Sequence, residues 1–226
     1  MPKKTRDVIV ASSDWTVPAA DGVHRRTIVK GAAWTVPVVA TALATPAAAA
    51  SNTTCPVLKP SDWTKTQNSY VSATGAEIGP IGGKDQAFQV QSENTAANGS
   101  GLYGQLYYTA KMDVVKGTTY TFSYSAFGNY GSYDKPNSRV MYVDLSANGT
   151  GIGSTYSTRT SDFGNTQLPI QAKSTDTAPW ADYTASYTAT ETKTIDVVFA
   201  FHIPDKVGSQ TSSDDIYITL PTIACS

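Results

Sequence analysis

Asp182-Tyr183-Thr184-Ala185-Ser186-Tyr187-Thr188-Ala189-Thr190-Glu191-Thr192-Lys193-Thr194-Ile195-Asp196-Val197-Val198-Phe199-Ala200-Phe201-His202-Ile203-Pro204 is the stretch on which the fold turns. Tyr183, Ala185, Tyr187 and Ala189 fall on one side of an extended chain and Thr184, Ser186, Thr188 and Thr190 on the other; Ile195, Val197, Phe199 and Phe201 then alternate with smaller or more polar residues. A strict two-residue period gives a strand one buried face and one wet face. The charge lies in the turn Thr190-Glu191-Thr192-Lys193. The reading is a hairpin at the centre of an antiparallel, all-β domain.

Working outward, the same period returns on both sides. Tyr120-Thr121-Phe122-Ser123-Tyr124-Ser125-Ala126 has the cleanest alternation and reads as a central strand. Residues 102–110 place Leu102, Leu106 and Tyr108 on one face and Tyr103, Gln105 and Tyr107 on the other. Phe88 and Val90 alternate within residues 86–93, and residues 139–145 resume a pattern that the Gly-, Asn- and Pro-bearing residues 127–138 break. Residues 79–83 read as a loop, and the Asn-Gly pairs at 98–99 and 148–149 mark tight turns. Weak strands fall near residues 154–158 and 167–172, and Ile216, Ile218 and Leu220 point inward from a last strand over residues 214–220. Trp63 reads as a core residue rather than a stacking platform for sugar. Eight to ten strands with Gly or Asn turns predict a two-sheet antiparallel β-sandwich of jelly-roll type.

Composition agrees with a secreted β-protein: 226 residues, only 15% of them charged, with 13 tyrosines against six phenylalanines. Residues 1–50 read as a targeting peptide. A basic, polar start leads to Arg25-Arg26-Thr27-Ile28-Val29-Lys30, which resembles the twin-arginine (Tat) export signal, and a mildly apolar segment ends in Thr45-Pro46-Ala47-Ala48-Ala49-Ala50, predicting cleavage near Ala50. The apolar segment, broken by Trp34, Thr35 and Pro37, is too dilute for a transmembrane span of roughly 20 apolar residues. Six of the 17 bases and three of the 18 acids precede Ser51, which leaves residues 51–226 with 11 bases and 15 acids and no basic patch for nucleic acid. The expected location is outside the cell, secreted or at its surface. In that compartment Cys55 and Cys225 predict a disulfide across nearly the whole of one domain, 51–226.

Four ordered motifs carry a resemblance: Gln105-Leu106-Tyr107-Tyr108, the Gly-Thr-Thr-Tyr-Thr-Phe-Ser-Tyr run at 117–124, Trp180 ahead of an alternating strand, and Asp214-Asp215-Ile216-Tyr217-Ile218. Together they resemble carbohydrate-binding modules of the family 4/9/22 type, which are galactose-binding-like jelly rolls, over roughly residues 85–223. The resemblance implies a glycan site on a sheet face or in the loops at one edge, and a structural calcium to which Asp214 or Asp215 contributes. Family members are usually appended to a glycoside hydrolase, and no such domain is expected within these 226 residues.

Sugar recognition needs flat rings against pyranose faces and polar groups for the hydroxyls. Asn129, Tyr130, Tyr133, Asp134, Asn137 and Arg139 form one supply, and Tyr103, Gln105 and Tyr107 on the polar face of their strand a second. Catalytic signals are weak. His202 is the one histidine after residue 50, there is no His-Glu-x-x-His, no Gly-x-Ser-x-Gly and no Gly-rich phosphate loop. Only an acid pair such as Asp144 with Glu93 or Asp182 offers glycoside hydrolysis. The expectation is therefore a non-catalytic domain that binds a polysaccharide or cell-wall glycan. A structural or adhesive surface protein and a small polysaccharide hydrolase are the alternatives.

Overall fold

A computed structural model describes residues 54–159 and 166–226. The targeting segment read at residues 1–50 and its cleavage site lie outside them. The described chain is all-β, a sandwich of two curled, mainly antiparallel sheets. Sheet I runs in the order β1 (Trp63–Gln67), β4 (Gly104–Val114), β13 (Lys193–Ile203), β7 (Tyr142–Ala147), β9 (Tyr156–Ser157) and β10 (Thr166–Gln167), with β8 (Thr150–Gly151) also on β7. Sheet II centres on β5 (Thr119–Asn129). One edge of β5 carries β12 (Ala181–Thr188) and, in parallel, β11 (Ile170–Gln171); the other carries β16 (Thr222–Cys225) and β15 (Asp215–Thr219), beyond which lie β3 (Lys84–Val90) and β2 (Ala76–Ile81). The short parallel pair β6 (Ser138–Arg139) and β14 (Ser212–Ser213) closes one end. Among the described residues no helix is long and apolar enough to cross a membrane.

The core forms where the predicted inward faces meet. Ile195, Val197, Phe199, Phe201 and Ile203 of β13 are buried, as are Leu106, Tyr108, Ala110, Met112 and Val114 of β4 and Tyr120, Phe122, Tyr124 and Ala126 of β5. Aromatic rings join the two sheets. Phe88 of sheet II stacks on Tyr108 of sheet I with centroids 4.6 Å apart, Tyr124 meets Phe199 edge-on at 5.5 Å, and Trp63 meets Phe88 edge-on at 5.0 Å. Trp63 is thus the core residue that its context predicts.

The central hairpin is not there. β12 pairs along its whole length with β5 in sheet II, and β13 pairs with β4 and β7 in sheet I, so the connection between them crosses from one sheet to the other. The connection from β4 to β5 crosses in the same way, and the two corners are bound together. The Gly117 N–H donates to Ala189 O (2.7 Å), the Ala189 N–H to Thr118 O (3.0 Å), and the Lys116 N–H to Thr192 Oγ1 (3.0 Å). Gly117 supplies the positive φ (85°) that this bend uses and that a side chain would strain. Alternation specifies which face a strand buries; it does not specify a partner, and a corner between sheets keeps the same period as a hairpin.

True hairpins occur elsewhere. β2 and β3 meet at Gly82-Gly83 and β7 and β8 at Asn148-Gly149, all four residues having positive φ, as two-residue turns require. Most of the predicted loop 79–83 is therefore strand. Leu102 lies ahead of β4 and is 43% exposed, not inward. The last strand is β16, beyond Pro221. Cys225 in β16 is joined to Cys55 with Cα atoms 5.7 Å apart, but β16 belongs to sheet II and β1 to sheet I, so the bridge does not set first and last strands side by side.

Candidate functional site

Strand register builds an aromatic and polar face on the outside of sheet I. The inward residues of β4, β13 and β7 alternate with Gln105, Tyr107, Thr109, then Val198, Ala200, His202, then Tyr142, Asp144, Ser146, all partly exposed. Register sets Gln105, His202 and Tyr142 in one row across three neighbouring strands, and Thr66, Tyr107, Ala200 and Asp144 in the next. Residues directly opposite point to the same face. The methyl group of Ala200 makes a low floor between Tyr107 and Asp144.

Within this face the side chains fix one another. The His202 imidazole stacks on the Tyr142 ring, centroids 4.5 Å apart and planes within 8°, and Tyr103 meets Tyr142 edge-on at 6.5 Å. His202 Nε2 lies 3.2 Å from Asp144 Oδ2, and the Thr155 hydroxyl donates to Asp144 Oδ1 at 2.5 Å. The hydrogen bond from His202 holds the Asp144 carboxyl below its ordinary value, against the opposing effect of burial. Burial pushes the Tyr142 phenol up to about 12, helped by Tyr103 and the Asp144 charge, so it stays a neutral donor. The result is a wall of three rings beside a carboxylate and an amide. Such a surface holds an apolar ring face while pairing the polar groups around its rim.

Of the seven predicted ligand residues, Tyr103, Gln105 and Tyr107 belong to this face. The other four lie elsewhere. Asn129 is in sheet II opposite Asp215, only 2% exposed, with its amide donating to the Tyr217 hydroxyl at 3.2 Å. Tyr130 packs against the Arg159 guanidinium (5.1 Å from the ring centroid) and Lys135 (5.4 Å). Tyr133 is 38% exposed in a 3-10 turn, and Arg139 sits in β6, its carbonyl accepting the Asp214 N–H at 2.6 Å. Conversely, no local sequence pattern singles out Tyr142, Asp144 and His202 as ligand residues. Their parity against Val143, Leu145, Phe201 and Ile203 places each outward; only the strand order sets them together.

The calcium expectation does not fit the donors present. Asp214 is wholly buried, and both its oxygens are taken. Arg159 Nε donates to Oδ2 (3.1 Å) and Nη2 to Oδ1 (3.2 Å), with Thr158 Oγ1 on Oδ2 at 2.6 Å and the Gly131 N–H on Oδ1 at 3.3 Å. A guanidinium already supplies the positive charge there. Among the described residues no group of three acid, histidine or cysteine side chains is arranged to hold a metal.

Asp215 has a different consequence. Burial raises its carboxyl to about 7, with Glu93 and Asp214 adding repulsion and hydrogen bonds from Tyr217 and Asn129 opposing. A folded-state value above the unfolded one means that the folded protein holds a proton the unfolded chain has lost. Stability is complete below about pH 4 and declines as pH rises through about 7, by roughly 2 to 3 kcal/mol between pH 5 and pH 8. Asp215→Asn is expected to flatten that decline in thermal melts; an unchanged slope in the variant would assign the proton to another group.

The hydrolase pairing of Asp144 with Asp182 is ruled out by topology. Asp144 faces outward from sheet I and Asp182 outward from sheet II, with the full thickness of the sandwich, about 10 Å between sheets, separating them. Glu93 accepts from the Ser213 N–H at 2.9 Å and pairs with Lys206 at 3.2 Å, whereas Asp144 is held by His202.

No family model matches the chain, and no curated protein does. Solved structures similar to it include a family 4 carbohydrate-binding module, 18% identical, covering 74% of this chain and 89% of that one with a TM-score of 0.37. Another is a family 27 carbohydrate-binding module that recognises mannan, 10% identical over 72% of this chain and 88% of that one, TM-score 0.41. A third is the K1 cleaved adhesin domain of Lys-gingipain from Porphyromonas gingivalis W83, 16% identical over 74% and 92%, TM-score 0.41. Fold and site together define a class, a disulfide-closed β-sandwich domain with an aromatic outer face.

Proposed function

We propose that the chain is an exported, non-catalytic domain that binds glycan on the outer face of sheet I. The supporting observation is the row Gln105, His202, Tyr142 with Tyr103 and Tyr107 beside it. Rings and hydrogen-bonding groups from three adjacent strands share one partly exposed surface there. Tyr142 and His202 supply a ready-stacked pair, so little side-chain freedom is lost when a sugar lies against them. Gln105, Asp144 and the Tyr107 hydroxyl supply donors and acceptors for its hydroxyls. Asp144 accepts hydrogen bonds from His202 and the Thr155 hydroxyl, which fix its carboxylate as an acceptor for the hydroxyls of an uncharged chain. Export rests on the leader reading and is supported by the disulfide, which persists in oxidising compartments.

Affinity electrophoresis of residues 51–226 in gels containing soluble xylan, mannan or mixed-linkage β-glucan tests the proposal. At least one gel is expected to retard the protein, and Tyr142→Ala or Tyr107→Ala to weaken binding at least tenfold, the loss of about 1.4 kcal/mol or more expected for a stacking aromatic anchor. Unaltered mobility throughout a broad panel, or retardation indifferent to both substitutions, would remove this face as the site.

A further inference from the structure

On the outside of sheet II, β5 and β12 make four hydroxyl-bearing rungs: Thr119 opposite Thr188, Thr121 opposite Ser186, Ser123 opposite Thr184, and Ser125 opposite Asp182. Cross-strand pairs of this kind ordinarily bond to each other and stiffen the sheet. Three of them do. Thr119 and Thr188 hydroxyls lie 2.9 Å apart, those of Thr121 and Ser186 3.2 Å, and Ser125 Oγ donates to Asp182 Oδ1 at 2.6 Å. The remaining rung, Ser123 and Thr184, is not closed, and both residues are exposed.

That open rung lines a groove of about 510 Å³. Lys84, Asp85 and Gln86 from the start of β3 and Thr219, Leu220 and Thr222 from the neighbouring β15–β16 corner also line it, as does Asp182 of β12. The volume falls in the ordinary range for small-molecule sites. Its chemistry is specific. Hydroxyls, an amide, an ammonium and two carboxylates give donors and acceptors at short spacing, and the side chains of Asp85 and Gln86 make no hydrogen bond among the described residues. The groups that a structural ladder would satisfy internally are left over at this one place.

We propose that this groove is a second binding site, on the sheet opposite the aromatic face, for a single neutral sugar unit or the end of a glycan chain. The ligand hydroxyls bond to Ser123, Thr184, Asp182 and Gln86. The tyrosines in its lining, Tyr124 and Tyr183, pack their rings into or against the core, so the groove selects by hydrogen bonding rather than by stacking, and it is the weaker of the two sites. Where the aromatic face also binds, a consequence that rests on the reading above, the two back-to-back sites make one domain a bridge between separate glycan chains.

The test uses isotopically labelled residues 51–226, with glucose, mannose, galactose and xylose as probes. Backbone amide shifts are expected at Ser123, Thr184 and Gln86 for at least one sugar, and the variant carrying Ser123→Ala, Thr184→Val and Asp182→Asn is expected to weaken that response at least tenfold. Thr184→Val keeps a β-branched residue in the strand, and Asp182→Asn alone provides a second variant should the triple one fold poorly. Shifts absent for all four sugars, or unaltered by Asp182→Asn and the triple variant, overturn the proposal. Tyr142→Ala separates the two readings, because it leaves the groove response intact whether or not the aromatic face binds. With soluble polysaccharide, turbidity from bridging is expected for the parent protein and its loss for either single-face variant.

Discussion

Arg159→Ala is expected to lower the unfolding free energy by about 3 to 5 kcal/mol, the range found when one partner of a buried ion pair is removed. Asp214 has no exposed surface, and the guanidinium, itself only 18% exposed, covers both its oxygens. Without it the carboxylate keeps the Thr158 hydroxyl and the Gly131 N–H but no opposite charge. The same guanidinium holds residues 131–139 through Nη2, which donates to Lys135 O, Ser138 O and Ser138 Oγ at 3.0, 2.9 and 2.7 Å. Urea denaturation measures the loss. Combining Arg159→Met with Asp214→Asn distinguishes its two sources. Recovery of half the loss or more means that the stranded charge dominates; no recovery assigns it to the loop contacts. A single variant within about 0.5 kcal/mol of the parent would refute the account.

Replacing Cys55 and Cys225 together by serine is expected to cost about 5 kcal/mol, and to lower the melting temperature by roughly 10 to 20 °C. The bridge spans 170 residues of sequence, so in the chain-entropy account it removes an unusually large share of the freedom of the unfolded chain. It also tethers the segment ahead of β1 to the last strand, and thereby one sheet to the other. A reducing agent is expected to reproduce the effect in the parent protein and to leave the double-serine variant unchanged. Equal melting temperatures with and without reductant would show that the packed core alone sets stability.

The period-two patterns identified the core residues and their outward partners residue by residue, from Ile195–Ile203 parity on β13 to Tyr120, Phe122 and Tyr124 on β5. They failed at pairing. Nothing in Thr190-Glu191-Thr192 distinguishes a hairpin turn from a corner between sheets, because both leave the alternation intact. The same gap explains the candidate site. Tyr103, Gln105 and Tyr107 are legible as one outward row, since they belong to one strand. Tyr142, Asp144 and His202 join them only through the order β4-β13-β7, which brings together residues nearly a hundred positions apart. The adjacent acids Asp214 and Asp215 show the opposite failure. Their local pattern resembles a metal site, while the deciding neighbour, Arg159, is 55 positions earlier.

β15 lies between β5 and β3, inside sheet II, although it is among the last segments of the chain. Without β15 the strands on either side of it, β5 and β3, face an unfilled slot. Removing residues 215–226 should therefore yield an open sheet with unpaired edges, prone to degradation, instead of a shortened but working domain.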